Sequence, residues 1–212
     1  MKRREFVRTL CAAAAATTAG SAVQAQVKLT EGKEYTRLTQ AVPVAVPGKI
    51  EVIEFFGYWC PHCNAFEPTL DAWARKLPPD VNFRRVPVAF NASHETLQKL
   101  YFALEVMGLV PTIHRKVFTA FHGTNIHFDQ PGQVAAFATA NGIDPAKLND
   151  TMQSFSVATK CRQVRPMLDA YRVDGVPTMA VNGRFLTSVG MAGGHDLAVQ
   201  VLDALIQKSR AA

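Results

Sequence analysis

The stretch that decides the fold is Val52–Pro68, which reads VIEFFGYWCPHCNAFEP. Its first five residues are the end of a β-branched and aromatic run, Lys49–Phe56, that is typical of a buried central strand. Gly57–Trp59 interrupts the run, and Pro61 then takes the first position of a predicted helix, where a missing N–H group costs nothing. A second strand is predicted over Val81–Val88. The sequence therefore predicts one right-handed strand–helix–strand unit with two cysteines at its first strand-to-helix junction.

The motif Cys60-Pro61-His62-Cys63 indicates thiol–disulfide exchange. That reaction needs a thiolate that attacks a disulfide and a second thiol close enough to resolve the mixed disulfide. We expect Cys60 at the exposed helix N-terminus, where free backbone N–H groups and the helix dipole stabilise negative sulfur, and Cys63 one turn further in, shielded. A zinc site would need two more ligands, and haem attachment a His where the sequence has Asn64. The motif favours redox chemistry with no metal and no cofactor.

Residues 1–25 have the pattern of an export signal. Lys2–Arg4 is basic, the Ala-rich segment Val7–Ala19 is too short to span a bilayer, and small residues precede a predicted cleavage site after Ala25. We therefore expect a cleaved signal rather than an uncleaved membrane anchor. Arg3–Val7 also resembles a twin-arginine signal, so Sec and twin-arginine export both remain open.

Without this leader the chain has 187 of its 212 residues, which suits one domain or one domain with an insertion. The formal charge falls from +6 to +3, because the leader holds four basic residues and one acidic residue. The basic pairs left include Arg75-Lys76 and Arg84-Arg85, which we interpret as solvated surface. So weak a charge predicts no nucleic-acid binding.

The number and spacing of the cysteines also favour a redox role over a disulfide framework that stabilises the fold. Cys60, Cys63 and Cys161 are too few for a stabilising disulfide framework, and a bond between the first two closes a loop too short to stabilise much. We predict Cys161 on a buried helix face, as a small hydrophobe, with a third exchange-active thiol as the alternative. The other members of that face are Val157, Val164, Leu168 and Tyr171.

The middle of the chain predicts helices rather than strands. They span His94–Met107, Pro111–His122, Gln130–Asn141 and Pro145–Ser154. The residues that favour helix ends are Gly108, Gly123 and Gly142 as C-terminal signals and Ser93 and Asp144 as N-caps.

The last third returns to strands after a longer helix, Ser156–Val173. Asn182-Gly183 between Thr178–Val181 and Arg184–Thr187 predicts a hairpin, since Asn-Gly between apolar runs is a strong hairpin signal. Gly193-Gly194 then leads into a closing amphipathic helix.

At this point Phe55–Cys63, followed by Phe66-Glu67-Pro68, resembles the active-site segment of the DsbA family of periplasmic disulfide oxidases. The resemblance continues through the helical insert to Gly175–Thr178 before the hairpin. It implies an α/β architecture, a thioredoxin fold with an inserted all-helical domain. We place the signal at 1–25, the thioredoxin-like domain at 26–92 and 161–212, and the insert at 93–160.

The resemblance also implies a cis peptide bond between Val176 and Pro177 that faces the active cysteine, which fits the rule that cis bonds occur at proline. His62 is placed to donate to the Cys60 thiolate or, if protonated, to lower its pKa. A stabilised thiolate makes the reduced protein the preferred form, so its disulfide is easily given away.

Glu54 is unusual inside an apolar strand, where a lone carboxylate is costly to bury. The period of two puts it on the face of Val52 and Phe56, beneath the active site, and the family carries an acid at this position. We expect it to accept or relay the proton of Cys63; an edge-exposed Glu54 is the alternative. The facing strand Val81–Val88 offers no lysine, so the sequence does not identify a companion charge of the kind seen in some relatives.

The predicted function is disulfide donation from Cys60–Cys63 to reduced or unfolded exported proteins in the periplasm, with reoxidation by a DsbB-like, quinone-linked membrane oxidase. We expect a monomer. The predicted catalytic residues are Cys60, Pro61, His62, Cys63 and Glu54, and the substrate-binding residues are Val176 and Pro177. Alternatives are a reductive thioredoxin-like protein, a redox-inert binding or chaperone module, and a dimeric isomerase. The isomerase is disfavoured because too little chain precedes the first core strand for a dimerisation domain.

Overall fold

A computed structural model describes residues 27–124 and 126–211, so the predicted signal and its cleavage site lie outside the described residues. A five-stranded sheet, in the order β1-β5-β4-β2-β3, forms the centre of the fold. Its strands are β1 Thr36–Arg37, β2 Ile50–Phe56, β3 Val81–Pro87, β4 Thr178–Val181 and β5 Phe185–Ser188. β2 runs parallel to β3 and antiparallel to β4, so the predicted strand–helix–strand unit and hairpin are both present.

Eight α-helices surround this sheet in the described part of the chain. They are α1 Pro61–Ala74, α2 Glu95–Val106, α3 Val110–Gly123, α4 Gln133–Ala140, α5 Pro145–Met152, α6 Phe155–Tyr171, α7 Val189–Ala192 and α8 His195–Arg210. None of them is long and apolar enough to cross a membrane.

The two faces of β2 carry the two cores. Val52 packs with Phe66 of α1 and with the apolar face of α8, whereas Ile53 and Phe55 face α6, where the rings of Phe55 and Tyr171 lie 5.3 Å apart. Six of the seven residues of β2 are buried. This two-sided burial explains the unbroken apolar run in the sequence and isolates any polar group that the strand carries.

The insert contains the four predicted helices with small changes at their ends. Asp144 caps α5, and Gly108 and Gly142 take the left-handed conformation that ends a helix, as predicted. Ser93 does not cap α2, because the Asn91 side chain accepts from its N–H and hydroxyl and fixes a 3₁₀ turn first. Gly123 does not follow α3 but is its last residue.

Helix α6 is continuous across residue 161, where the predicted insert ends. The division into a thioredoxin-like domain and an inserted domain therefore stays a prediction. The hairpin turn has the predicted residues in the left-handed region, with φ of 52° at Asn182 and 63° at Gly183. Glycine is required at the second position because a side chain there would collide with the Val42 backbone.

Candidate active site

Cys60 and Cys63 meet at the first turn of α1, and both are free thiols, so the structure is that of the reduced protein. Cys60 is the N-cap, and its Sγ accepts from the Cys63 backbone N–H at 3.3 Å. The same sulfur donates to the Val176 carbonyl oxygen at 3.3 Å. Cys60 is only 3% exposed, so the prediction of an exposed N-terminal thiol is wrong: the loop at Val176 covers it.

The two thiols differ strongly in acidity. The contact with the Cys63 side chain, together with the backbone N–H groups of Cys63 and His62, lowers the pKa of Cys60 to about 6, against the opposing effect of burial. Burial raises the pKa of Cys63 well above its usual range, and the hydrogen bond with Cys60 and the charge of Glu54 raise it further. These acidities fit the predicted roles of Cys60 as the nucleophile and of Cys63 as the thiol that holds a proton.

His62 is exposed on the first turn of α1. Within the described residues its side chain makes no hydrogen bond to Cys60. It acts on Cys60 through its backbone N–H and its charge, both of which lower the pKa of the thiol. Of the two predicted modes of action, the structure therefore supports the electrostatic one.

The peptide bond between Val176 and Pro177 is cis, as the resemblance implied. Its position is fixed by β4, which begins at Thr178 and is bonded to β2. The Val176 carbonyl consequently lies against Cys60 in the folded chain, 116 residues away in sequence.

Glu54 is 1% exposed, so the edge-exposed alternative is wrong. It also has a companion charge: Arg85 Nε lies 3.1 Å from Glu54 Oε2. The two residues are in register on the parallel strands β2 and β3. The prediction that Arg84-Arg85 is solvated surface is wrong as well, because Arg85 is 11% exposed and Arg84 pairs at 3.0 Å with the buried Glu51.

Burial raises the pKa of Glu54 to about 8, because it outweighs the attraction of Arg85 and is reinforced by the negative charge of Glu67. Its second oxygen, Oε1, has no hydrogen-bond partner among the described residues. Glu54 therefore carries a proton at neutral pH and raises the pKa of Cys63 when it loses that proton.

Beyond Arg85 a buried polar chain, which the sequence analysis missed, continues toward the insert. Arg85 Nη2 donates to Glu67 Oε1 at 2.9 Å, Glu67 Oε2 lies 3.4 Å from His114 Nε2, and His114 Nδ1 lies 2.7 Å from the Tyr58 hydroxyl. Glu67 is one helical turn from Cys63, and its position between the core residues Phe66 and Leu70 was a usable signal. His114 lies on α3, and no local pattern marked it.

An aromatic surface lies beside the nucleophile. The Trp59 indole stacks on His94, with ring centroids 4.0 Å apart, and touches Phe90, which is 42% exposed. Its Nε1–H donates to the Val88 carbonyl at 3.1 Å. The indole also covers Gly57, where a Cβ would lie 2.5 Å from the ring.

Cys161 lies at the edge of the core rather than in it. The predicted companions on its face, Val157, Val164, Leu168 and Tyr171, are buried, but Cys161 itself is half-buried and lines an open cleft of about 480 Å³. Burial raises the pKa of its thiol, which lowers its reactivity at neutral pH. Among the described residues no group of three or more His, Cys, Asp or Glu side chains is placed to bind a metal ion.

Comparison with known proteins gives a consistent result. Residues 80–201 match the family described as a DSBA-like thioredoxin domain, and residues 26–113 match thioredoxin. A protein of Pseudomonas syringae pv. tomato named thiol:disulfide interchange protein DsbA is 43% identical over 93% of this chain and 92% of its own length. The Pseudomonas aeruginosa protein of that name is 42% identical over 94% of each chain. The crystal structure of Pseudomonas aeruginosa DsbA superposes with a TM-score of 0.83, covering 86% of this chain and 95% of that one.

Proposed function

This chain belongs to the DsbA family of thioredoxin-fold proteins, and on that premise we propose that it donates its Cys60–Cys63 disulfide to reduced proteins. The observation that carries the proposal is the opposite acidity of the two thiols. The pKa of Cys60 is lowered to about 6, whereas that of Cys63 is raised far above its usual range. A stabilised Cys60 thiolate favours the reduced protein, which is the property of a disulfide donor.

The reaction begins when a substrate thiolate attacks the Cys60 sulfur of the oxidised protein. The Cys60–Cys63 bond breaks, and Cys63 leaves as a thiolate that takes the proton held by Glu54. A second substrate thiolate then attacks the substrate sulfur of the mixed disulfide and releases Cys60 as its stabilised thiolate. Two electrons have moved from the substrate dithiol to the protein, and the substrate keeps the disulfide.

Val176 and Pro177 form the wall against which the substrate chain lies during this exchange. The proposal is supported by the contact between Cys60 and the Val176 carbonyl, which puts this loop next to the sulfur that is attacked. The Trp59 and Phe90 side chains offer apolar surface on the other side of the motif, suited to an unfolded chain rather than to one defined sequence.

The partners that fit this chemistry are reduced or unfolded exported proteins, and a DsbB-like, quinone-linked membrane oxidase that restores the disulfide. We place the protein in the periplasm as a monomer, after removal of residues 1–25 by cleavage behind Ala25. A compartment without strong reductants is what a disulfide donor needs to stay oxidised.

Mixed-disulfide trapping tests the donor role. Cys63→Ala, made with Cys161→Ala so that the third thiol is absent, is first oxidised at Cys60 with an activated aromatic disulfide. It should then form covalent complexes with a reduced unfolded protein that has a single cysteine, as the substrate thiolate attacks Cys60 and the aromatic thiolate leaves, whereas a matched Cys60→Ala protein should not. The reduction potential decides the direction: a value close to that of thioredoxin would mean that the protein is a reductant. If neither variant traps a partner and the wild-type pair resists exchange, the redox-inert binding module is the correct function.

A further inference from the structure

His114 connects the insert to the acid pair beneath the active site. It lies on α3, is 4% exposed, and is enclosed by the aromatic rings of Phe56, Tyr58, Tyr101 and Phe118. Its two ring nitrogens face two different partners, the Tyr58 hydroxyl at 2.7 Å and Glu67 Oε2 at 3.4 Å. A buried histidine with a polar partner at each nitrogen is held in one tautomer.

The partners decide which tautomer that is. Arg85 donates to both carboxyls, to Glu67 Oε1 at 2.9 Å and to Glu54 Oε2 at 3.1 Å, but the pKa of Glu67 is held below its usual value, so Glu67 is the anionic member of the pair. If Nδ1 carried the hydrogen, an imidazole lone pair would point at that carboxylate. With the hydrogen on Nε2, His114 instead directs an N–H at Glu67 Oε2 while Nδ1 accepts from Tyr58. Neither Glu67 Oε2 nor His114 Nε2 has a hydrogen-bond partner in the part of the chain that the structure describes; the two atoms face each other at 3.4 Å without a formed hydrogen bond.

The single guanidinium of Arg85 contacts two buried carboxyls here, but its one positive charge neutralises only one of them. Glu67 has Arg85 and the His114 N–H, whereas Glu54 has Arg85 alone and an oxygen without a partner among the described residues. We propose that His114 is a positioning residue, which keeps Glu67 ionised and thereby leaves the single proton of the carboxyl pair on Glu54.

The acidities agree with this division. Burial raises the pKa of Glu67, but the contacts with the His114 N–H and with Arg85, together with the charge of Arg85, outweigh it and hold the pKa below its usual value. Burial lowers the pKa of His114, so the ring is neutral at pH 7 and acts through its N–H rather than through a charge.

The other groups around His114 do not compete for this proton. Tyr58 and Tyr101 are neutral, because burial raises the pKa of both. Asp71 of α1 is 4.0 Å from Arg85 and partly exposed, and His122, further along α3, bonds to the Tyr58 carbonyl instead. The charged groups that face the site are therefore Glu54, Glu67, Arg85, Asp71 and the Cys60 thiolate.

This part of the inference rests on the proposed function. Its consequence is for the proton that Cys63 takes when the disulfide opens. Only a protonated Glu54 is able to supply the proton that Cys63 takes when the disulfide opens. Without the His114 N–H, Glu67 competes for the proton, and a larger share of the molecules at neutral pH has an ionised Glu54.

Two substitutions separate this role from simple packing. His114→Phe keeps an aromatic ring among the aromatic neighbours but removes the N–H. His114→Gln loses the ring, but its amide has an N–H to offer to Glu67. A structural role predicts that the phenylalanine variant resembles wild type, and the positioning role predicts that the glutamine variant does. His127→Phe, at an exposed position of the insert, is the matched control.

The direct readout is the carboxyl carbon NMR signal of labelled glutamates in the oxidised protein, followed from pH 4 to pH 9. Wild type and His114→Gln should show Glu54 titrating above the usual range of a glutamate, because it is buried, and Glu67 below that range. In His114→Phe, the Glu54 midpoint should fall and the Glu67 midpoint should rise, each by about one unit or more. Unchanged midpoints in His114→Phe, or equal shifts in both variants, would refute the role.

Tyr58→Phe serves if the first variant does not fold, because it frees the tautomer and should shift both midpoints in the same directions by a smaller amount. The NMR result does not depend on disulfide donation. A protein that shows the predicted midpoints but oxidises no substrate would overturn the proposed function and leave the role of His114 intact.

Discussion

Arg85 donates a hydrogen bond to Glu54 across adjacent parallel strands, with Nε 3.1 Å from Oε2 and both side chains almost fully buried. The same guanidinium reaches Glu67 Oε1 at 2.9 Å. One cation therefore compensates two carboxyls in the layer between β2 and α1. Because nothing else of positive charge contacts Glu54 among the described residues, the pair tests how far the fold depends on a single charge.

Replacing Arg85 by Met should destabilise the protein by about 3 to 5 kcal/mol at pH 7, because a buried carboxylate is left without compensation. Arg85→Lys, which keeps a positive charge, should lose clearly less stability than Arg85→Met. Urea unfolding of the reduced proteins gives the measurement. Arg84→Met is the matched control: its partner Glu51 is buried, but Arg84 is 30% exposed, so water replaces part of the lost interaction. Equal losses in the two Met variants would contradict the burial argument.

When the reduced protein is reoxidised, Glu54→Gln should slow the resolution of the mixed disulfide by Cys63 more than it slows the first attack by Cys60. The amide of this variant neither supplies nor accepts the proton of Cys63, whereas the thiolate of Cys60 is stabilised mainly by its contacts with Cys63 and by backbone N–H groups. Stopped-flow mixing of the reduced protein with a disulfide-bonded peptide resolves the two steps, because Cys60 attacks first and Cys63 then gives up its proton and attacks the mixed disulfide. Glu51→Gln, on the same strand but paired with Arg84, should change neither rate. Equal effects of Glu54→Gln on both steps would exclude a proton relay.

His62→Ala should raise the pKa of Cys60 and make the protein a weaker oxidant. The His62 charge is a minor contributor beside Cys63 and the backbone N–H groups, so the expected rise is less than about one pKa unit. Thiolate absorbance followed against pH measures it, with His127→Ala as the exposed control. A titration curve that does not move would leave the His62 side chain with no electrostatic role.

The disulfide should stabilise this fold less and less as the pH rises, relative to the reduced form. The folded-state pKa of Cys60 is depressed from about 9 to about 6, so the thiolate stabilises the reduced fold fully above pH 9, and this stabilisation is lost as the pH falls through 6. Three pKa units correspond to roughly 4 kcal/mol. Closing so short a loop stabilises the oxidised form by about 2 kcal/mol.

We therefore expect the two forms to have the same free energy of unfolding at a pH near neutral. Above that pH the reduced form is the more stable, and below it the oxidised form is. Urea unfolding of both forms at pH 5, 7 and 8.5 gives the curve. If the oxidised protein were the more stable at all three pH values, the disulfide would act mainly to stabilise the fold and the pKa of Cys60 would not be lowered.

The sequence predicted the parts of the fold that depend on local pattern. β2, α1, the hairpin at Asn182-Gly183 and the four helices of the insert all follow from periodicity, caps and turn residues. The errors lie where two signals compete over a few residues, as at Ser93, whose N–H is taken by Asn91 before α2 begins.

The site was predicted as far as the chain places its residues side by side. Cys60, Cys63 and the cis bond at Pro177 follow from the motif and the family resemblance. Arg85 was missed because the register that pairs it with Glu54 cannot be derived from the sequence of either strand alone. The expected partner of Glu54 was also a lysine rather than an arginine. His114 was missed because only the packing of α3 against α1 brings it to Glu67.

The contact between Trp59 and Gly57 also constrains how this chain is able to change over generations. A methyl group at 57 would lie 2.5 Å from the indole, so even the smallest side chain is rejected while Trp59 stays in place. Substitutions at the two positions are therefore coupled, and the effect of one depends on the other. A lineage that gains a side chain at 57 therefore has to move or lose the indole at 59, and with it the stack on His94.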